Sequence, residues 1–477
     1  MTLIPPPHPP AQAGVKRLLP WVVAVALFME SLDTTILNTG VPTIAASLGV
    51  AALSMKAALT SYTISLAIFI PISGWIADRY GTRRVFFSAM GVFTLGSLCC
   101  GLSTSMPLLV ASRVLQGAGG ALMMPVGRIA MVRTFPKSEL LRATTFVAIP
   151  ALVGPLLGPL VGGFIVTYLH WRVIFFVNLP IGLAGIVLAY LRMPDYRVGR
   201  RDPLDLVGLV LFGGGIGLLS YVLEVFGEHA LSVQSMAWLF ALSIALLGAY
   251  GAHSVRHAFP LLRLSLFRVR TFRVAVVGGF ITRLGAGGMP FMLPLLYQVG
   301  LGFTPVQSGL LIMPQPLAAL GLRYFTARIL ARFGYRWVLL VNTLCMGLLI
   351  LLFMTVTPGA SAWFIAGQAA FFGFASSVQY TSMGTLTFAD LSDADTSMGS
   401  SIASTVQQMS MSFGVAVASL LTVVFIGTRQ AHVAGMIGGI HRTFLTLGLL
   451  TIASSLMFWQ LRGEDGANVS GHGGVEG

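Results

Sequence analysis

The chain has 477 residues, of which 56% are hydrophobic and only 9% are charged, and its mean hydropathy is +0.85. That profile excludes an ordinary soluble domain, whose surface needs far more polar side chains. A net charge of +14 would suit a nucleic-acid binder, but the basic residues fall in short loops between apolar runs and form no basic stripe, which excludes that class too.

Residues 1–17 are proline-rich and read as a disordered tail without the basic start or cleavage site of a signal peptide. A bilayer core needs about 20 apolar residues per helix. On that basis fourteen spans are expected, at 18–44, 57–77, 85–104, 107–132, 143–167, 172–192, 205–225, 235–255, 274–297, 306–328, 338–356, 362–388, 397–426 and 441–461. The first carries 28-FMESLDTTILN-38. Glu30 and Asp33 are three residues apart, so they share a helix face and are expected to point into a cavity and not to lipid. Two carboxylates in a poorly hydrated site do not both stay ionised, which suits a proton carrier.

The second span runs into 74-GWIADRYGTRR-84. Gly81 permits a tight turn, and Asp78 can pair with Arg79, Arg83 or Arg84, or cap a neighbouring helix. A role for these arginines in orientation alone would leave Asp78 and Gly74 unexplained. The fourth span holds 113-RVLQGAGGA-121. Asp33 lies about 22 Å along its helix and Arg113 about 9 Å below the other end of span four, so their depths nearly coincide. A charge so deep needs a partner, and Asp33 with Arg113 is the expected pair, whether as a static strut or as part of proton coupling. Arg128 and Arg323 lie nearer span ends and can snorkel to headgroups. In the fifth span, 154-GPLLGPLVGG-163, Gly154, Gly158 and Gly162 line one face for close backbone approach. Pro150, Pro155 and Pro159 each remove a helix hydrogen bond there and bend the segment.

Later spans are sparser in signals. Glu224 reads as an interfacial charge, and Arg283 is a second deep cation. Gln116, Gln379, Tyr380, Ser404, Gln408 and Ser412 stand amid Met and Phe, and either line a cavity for amphipathic ligands or bond helices together. Asp390, Asp393 and Asp395 read as a solvated connector. Cys99, Cys100 and Cys345 lie in apolar runs with neither a disulfide nor a metal-ligand pattern.

The chain also repeats itself. WIADRYGTRRV at 75–85 aligns with RILARFGYRWV at 328–338, an offset of 253. If those loops are equivalent, spans one to six match nine to fourteen, with two inserted helices between, the logic of parallel repeats around a central site. The expected organisation is a cytoplasmic tail (1–17), a six-helix bundle (18–192), two inserted helices with flanking loops (193–272), a second six-helix bundle (273–461) and a tail (462–477). Of the 29 Lys and Arg, only Lys56, Arg172, Arg429 and Arg442 fall on the opposite side when both termini are placed in the cytoplasm, a strong positive-inside bias.

Together these motifs resemble the major facilitator superfamily. The loop at 74–84 is similar to its signature loop, the stretch at 113–121 to its buried-arginine motif, and 154–163, with Gly154, Pro155, Gly158, Pro159, Gly162 and Gly163, to the motif of its antiporters. The stretches 32-LDTTILNTGVP-42 and 171-WRVIFFVNLPIG-182 resemble the fourteen-span drug:proton antiporter family of the EmrB and QacA type, most closely its MdtD-type members. The resemblance spans essentially the whole chain. It implies an all-α membrane fold, a proton-driven exporter without a cofactor, and an inner-membrane location. It further implies proton coupling at Asp33 first and Glu30 second, and a conformational latch at Gly74, Asp78, Arg79, Gly81, Arg83 and Arg84. It also implies that the bent fifth helix seals the cavity against ion leak. One departure is Ala331, which stands where the second loop would match Asp78 and argues against a symmetric latch. An anionic metabolite is the alternative cargo, suggested by Arg113 and Arg283. A membrane enzyme, channel or ATP-driven pump lacks the catalytic cluster, filter ring or P-loop it would need. The partners expected are lipid, protons and a small molecule, not nucleic acid, and a periplasmic adaptor is left open.

Overall fold

The computed structural model describes residues 13–135, 137–197, 203–225, 232–321, 323–392, 395–426 and 433–467. Among the described residues all regular structure is helical. In chain order the α-helices are α1 (Ala13–Leu48), α2 (Lys56–Phe69), α3 (Ser73–Tyr80), α4 (Thr82–Leu102), α5 (Met106–Thr134), α6 (Lys137–Tyr168), α7 (Val173–Phe176), α8 (Asn178–Arg192) and α9 (Leu206–Val225). They continue with α10 (Val233–Arg256), α11 (Arg270–Ala286), α12 (Met289–Pro294), α13 (Pro305–Ile312), α14 (Pro314–Gly321), α15 (Arg323–Leu352), α16 (Ala362–Leu386), α17 (Thr396–Ile426) and α18 (Val433–Phe458).

Eleven helical segments among the described residues are long and apolar enough to cross a membrane. The expected fifth, tenth and twelfth spans are not among them. Of the fifth, the stretch Val153–Tyr168 is apolar but too short by itself to count, the side chains of residues 151 and 152 before it lying outside the described residues. The tenth is broken between α13 and α14, where Pro314 and Pro316 lack the N–H groups a continuous helix needs. The twelfth, α16, is long enough but carries buried Gln368, Ser376, Gln379 and Ser382, which lower its hydropathy.

The helices pack in a pattern set by small residues and by chain alternation. α1 runs along α6, α4 lies between α5 and α8, and α2 packs on both α5 and α17; α15 meets α16 and α18. The pair α9 and α10 pack on each other, and α9 also packs on α2 and α17. One large apolar cluster occupies one end of the bundle, drawing Ile36, Met55, Phe175, Met292, Phe353 and Phe444 from early and late helices alike. The opposite end, where α3 and α4 meet, is less filled.

The two loops matched by the 253-residue offset take similar turns. Gly81 has φ 93° and Gly334 has φ 70°, a region where a side chain would be strained. Each turn is covered by the stretch that follows a later helix. Asp195 lies against Gly81 and Gly466 against Tyr335.

Candidate functional site

A fully buried polar network is built on Asp33. Its Oδ2 accepts from Arg113 Nη1 at 2.6 Å, and its Oδ1 accepts from Gln116 Nε2 and Asn178 Nδ2, both at 2.8 Å. Arg113 donates further to Gln116 Oε1 and, through Nε, to the Ala58 carbonyl. The Tyr62 ring lies 4.3 Å from its guanidinium carbon. Ser97 accepts from both amides and donates to the Phe175 carbonyl. Asp33 and Arg113 are each 1% exposed. A buried ion pair of this kind holds together only when its remaining lone pairs and protons are satisfied, as here.

The expected Asp33 and Arg113 contact is therefore present, while two of its supports escaped the sequence reading. Asn178 lay within the quoted 171–182 stretch, and an amide in an apolar helix start was its signal. Gln116, expected either to line the substrate cavity or to bond helices together, is not at a cavity but wholly buried in this network. Its position three residues after Arg113 puts it on the arginine's face of the helix, which explains the difference. Glu30 is only half-buried, and its Oε2 is sealed from solvent without a hydrogen-bond partner.

The glycines of α6 hold it against α1. A Cβ at Gly154 would overlap Ser31, one at Gly158 would overlap Thr35, and one at Gly162 would overlap the Ile36 carbonyl. Thr35 Oγ1 also donates to the Gly154 carbonyl at 3.3 Å. Gly163 points elsewhere: its Cβ would press on the Pro305 carbonyl, while Gly309 sits against the carbonyl of Pro159. Thus α6 meets α1 on one side and α13 on the other. Pro155 is half-buried in the same stretch.

At the opposite end Asp78 pairs with Arg133 of α5 at 2.9 Å. This corrects the expectation that its partner is Arg79, Arg83 or Arg84. Asp78 sits in the last turn of α3, which packs on α5, so the end of α5 is the nearer cation. Arg79 instead lies over the rings of Trp75 and Tyr80, and Arg84 is exposed. The backbone N–H of Arg83 donates to Asp195 Oδ1 at 3.3 Å, so the cap on α4 comes from beyond α8. In the second loop, Arg332 and Arg336 lie over Phe333 and Trp337.

A cavity of about 650 Å³ opens at this end, lined by Gly74, Arg128, Arg133, Asp205, Arg263 and Ser404 among others. A smaller one of about 150 Å³ shares Arg128, Ser400 and Ser404 with it and reaches Arg283, Tyr380 and Gln407. The Arg283 guanidinium lies 4.5 Å from the centre of the Tyr380 ring. Among the described residues no carboxylate pairs with it. Arg128, expected to reach headgroups, instead lines both cavities and donates to Ser400 Oγ at 3.0 Å. Two other cavity assignments differ. Gln379 is buried and bonded to Asn342 and Thr343, and Gln408 lines neither cavity, its neighbour Gln407 taking that place. A single-residue step turns a helical side chain by about 100°, so spacing alone could not separate the two. Ser412 donates to the Thr60 carbonyl of α2.

The acidic connector is also tied down. Asp395 pairs with Arg263 and Asp390 accepts from Thr271, while Asp393 and the side chains of Glu224 and Arg323 lie outside the described residues.

A helical membrane bundle with one end closed, a cavity at the other and a buried ion pair between them is the build of a secondary transporter, not of an enzyme. The chain belongs to the Major Facilitator Superfamily, whose sequence profile matches residues 23–415. It is 41% identical over 439 residues to the multidrug resistance protein MdtD of Cronobacter sakazakii, covering 92% of this chain and 93% of that one. It is 38% identical over 454 residues to MdtD of Escherichia coli O81, covering 94% and 96%. Its fold is similar to that of a D-xylose-proton symporter, with TM-score 0.69, 15% identity and coverage of 94% and 99%. A POT family transporter complexed with a thioalcohol-conjugated peptide is also similar, with TM-score 0.69, 16% identity and coverage of 92% and 94%.

Proposed function

We propose that this chain is a proton-coupled exporter of small amphipathic molecules, working by alternating access across the cytoplasmic membrane. The names of its MdtD relatives support drugs as cargo. The carrying observation is the satisfied Asp33–Arg113 pair with a second acid, Glu30, one turn away in an otherwise apolar helix. In this reading fourteen spans form two six-helix halves, 18–192 and 273–461, with the inserted pair between them and both termini in the cytoplasm. The matching turns at Gly81 and Gly334 support that pairing. The cavity then opens to the cytoplasm, while the α6 contacts with α1 and α13 close the outer side. Gly74, Asp78, Arg79, Gly81, Arg83 and Arg84, with Arg133 added, form the latch at the cytoplasmic face.

A second cargo class, an organic anion, is favoured by one observation: Arg283, at the inner cavity, faces Tyr380 with no carboxylate partner among the described residues. A buried guanidinium without an anion is costly, and an anionic ligand would supply one. Proteoliposomes with an imposed pH gradient separate the two readings. Gradient-driven movement of tetraphenylphosphonium, abolished by collapsing the gradient, supports the amphipathic cation; movement of fluorescein, lost in Arg283→Gln, supports the anion. Movement of both probes at the same rate with and without the gradient would remove proton coupling altogether.

A further inference from the structure

Two acids stand one turn apart on α1, and the structure treats them oppositely. Asp33 accepts three hydrogen bonds from three side chains and is 1% exposed. To take up a proton it would have to give up the donor from Arg113, leaving a deep cation without its anion, a change that costs about 3–5 kcal/mol. Glu30 has no such tie. Its Oε2 is sealed and unpartnered, yet its side chain is half-exposed along a stripe of α1 formed by Leu27, Glu30, Thr34 and Asn38. Four positions at three- and four-residue spacing lie on one helix face, and each of them is more exposed than Asp33.

The surroundings point the same way. The titratable groups facing Glu30 are Asp33 on its own helix and Tyr62 from α2, while Arg113 of α5 is turned to Asp33 and to the Tyr62 ring. At this level α6 and α8 present Gly154 and Asn178, which do not titrate. The Tyr62 hydroxyl is itself buried without a hydrogen-bond partner. A carboxylate with a sealed oxygen and no donor is expensive in an apolar interior, whereas a carboxylic acid carries its own donor.

We propose that Glu30 is the group that gains and loses the coupled proton, while the Asp33–Arg113 pair stays closed as a strut between α1 and α5. This rests on the proton-antiport reading above and reverses the order that the motif implied. In the step, the Glu30 carboxylate forms an O–H bond with a proton from water on the outer side. That bond breaks to water on the cytoplasmic side after the halves rock, with no change in oxidation state and no counter-ion released from Arg113.

Infrared difference spectroscopy of the whole protein in lipid, recorded across a pH jump, tests this without knowledge of the cargo. The protonated-carboxyl C=O band should be lost in Glu30→Gln, retained in Asp33→Asn and shifted but present in Glu30→Asp. Should Asp33→Asn fail to fold, the same band is expected in Asp33→Asn combined with Arg113→Met, which leaves no stranded cation. Persistence of the whole band in Glu30→Gln, its loss when only Asp33 is altered, or its absence from the parent protein would each overturn the assignment. In parallel, gradient-driven tetraphenylphosphonium movement should fall to background in Glu30→Gln. A parent protein that shows the band but moves neither probe with the gradient would leave Glu30 as an exchangeable acid and overturn the antiport reading instead.

Discussion

Asn178 shows how a single amide can matter more than its position suggests. It donates to Asp33 and to Ser97, so Asn178→Ala removes two buried hydrogen bonds while Gln116 still donates to both acceptors, a loss of about 0.5–1.5 kcal/mol for the Ser97 bond and about 1.5–3 kcal/mol for the one to the carboxylate. A lowered thermal midpoint in detergent is expected, with Asn178→Asp worse than Asn178→Ala because it places a second acid beside the first. Asp205, in the loop before α9, is a different case. Burial alone would push its carboxyl up, but hydrogen bonds from the Gly208 N–H, His253 and the Leu261 N–H outweigh that and hold it below the usual carboxylate range. A depressed folded value means that the stabilisation is fully present above the ordinary aspartate value, about 4, and is lost as pH falls below it. Hydrogen exchange at the start of α9 should therefore stay slow at neutral pH and quicken only at strongly acid pH. In Asp205→Asn it should be faster at neutral pH and lose that acid step. Equal exchange in the variant and parent at neutral pH would show that the cap contributes nothing. At this scale the sequence made the deep charges legible, because a cation and an acid at matching depth need each other. It could not make their neutral supports legible, since Asn178, Ser97 and Tyr62 have no charge to explain and Gln116 fitted two roles equally well.

Among elements, α6 and the α3–α4 turn carry opposite lessons. The glycine period in α6 directly reported a tight seam, because only a missing Cβ lets two helices approach so closely, although the seam's partner, α1, could not be read from it. The turn around Gly81 was legible as a turn, but Asp78 found its cation on another helix. Local reading favours neighbours in sequence, whereas the end of α5 is nearer in space. This yields a test. If Asp78 and Arg133 act as one latch, Asp78→Asn and Arg133→Gln should each slow transport several-fold at equal membrane abundance. The double variant should then be no slower than either single one. Additive losses would separate the two residues, and a normal rate in both would remove the latch. The cavity-lining side chains were least legible, because one position along α17 decides whether a glutamine meets the void or a neighbouring helix.

For the whole molecule, the proposed topology makes a direct claim about sidedness. In a cysteine-free background, Ser232→Cys in intact cells should react with a membrane-impermeant maleimide, whereas Arg197→Cys should react only after the membrane is opened. Labelling of Arg197→Cys from outside would invert the arrangement and place the large cavity on the outer face. The even number of spans rests on charge distribution and on the repeat, neither of which depends on any one helix being strongly apolar. That is why α16, rich in amides and hydroxyls, still counts as a crossing in the proposed scheme.

The α9–α10 pair is asymmetric in a way that bears on motion. Helix α9 leans on α2 and on α17, whereas α10 leans on α9 and turns most of its surface outward, with Trp238 71% and Val255 78% exposed. If the helices bearing α2 and α17 move against each other during transport, α9 cannot keep both contacts rigid and has to slip along at least one of them. It would then behave as a brake shoe held in place by the surrounding lipid through α10. Bilayer thickness and lipid fluidity, acting on two helices that line neither cavity, would then set part of the turnover rate.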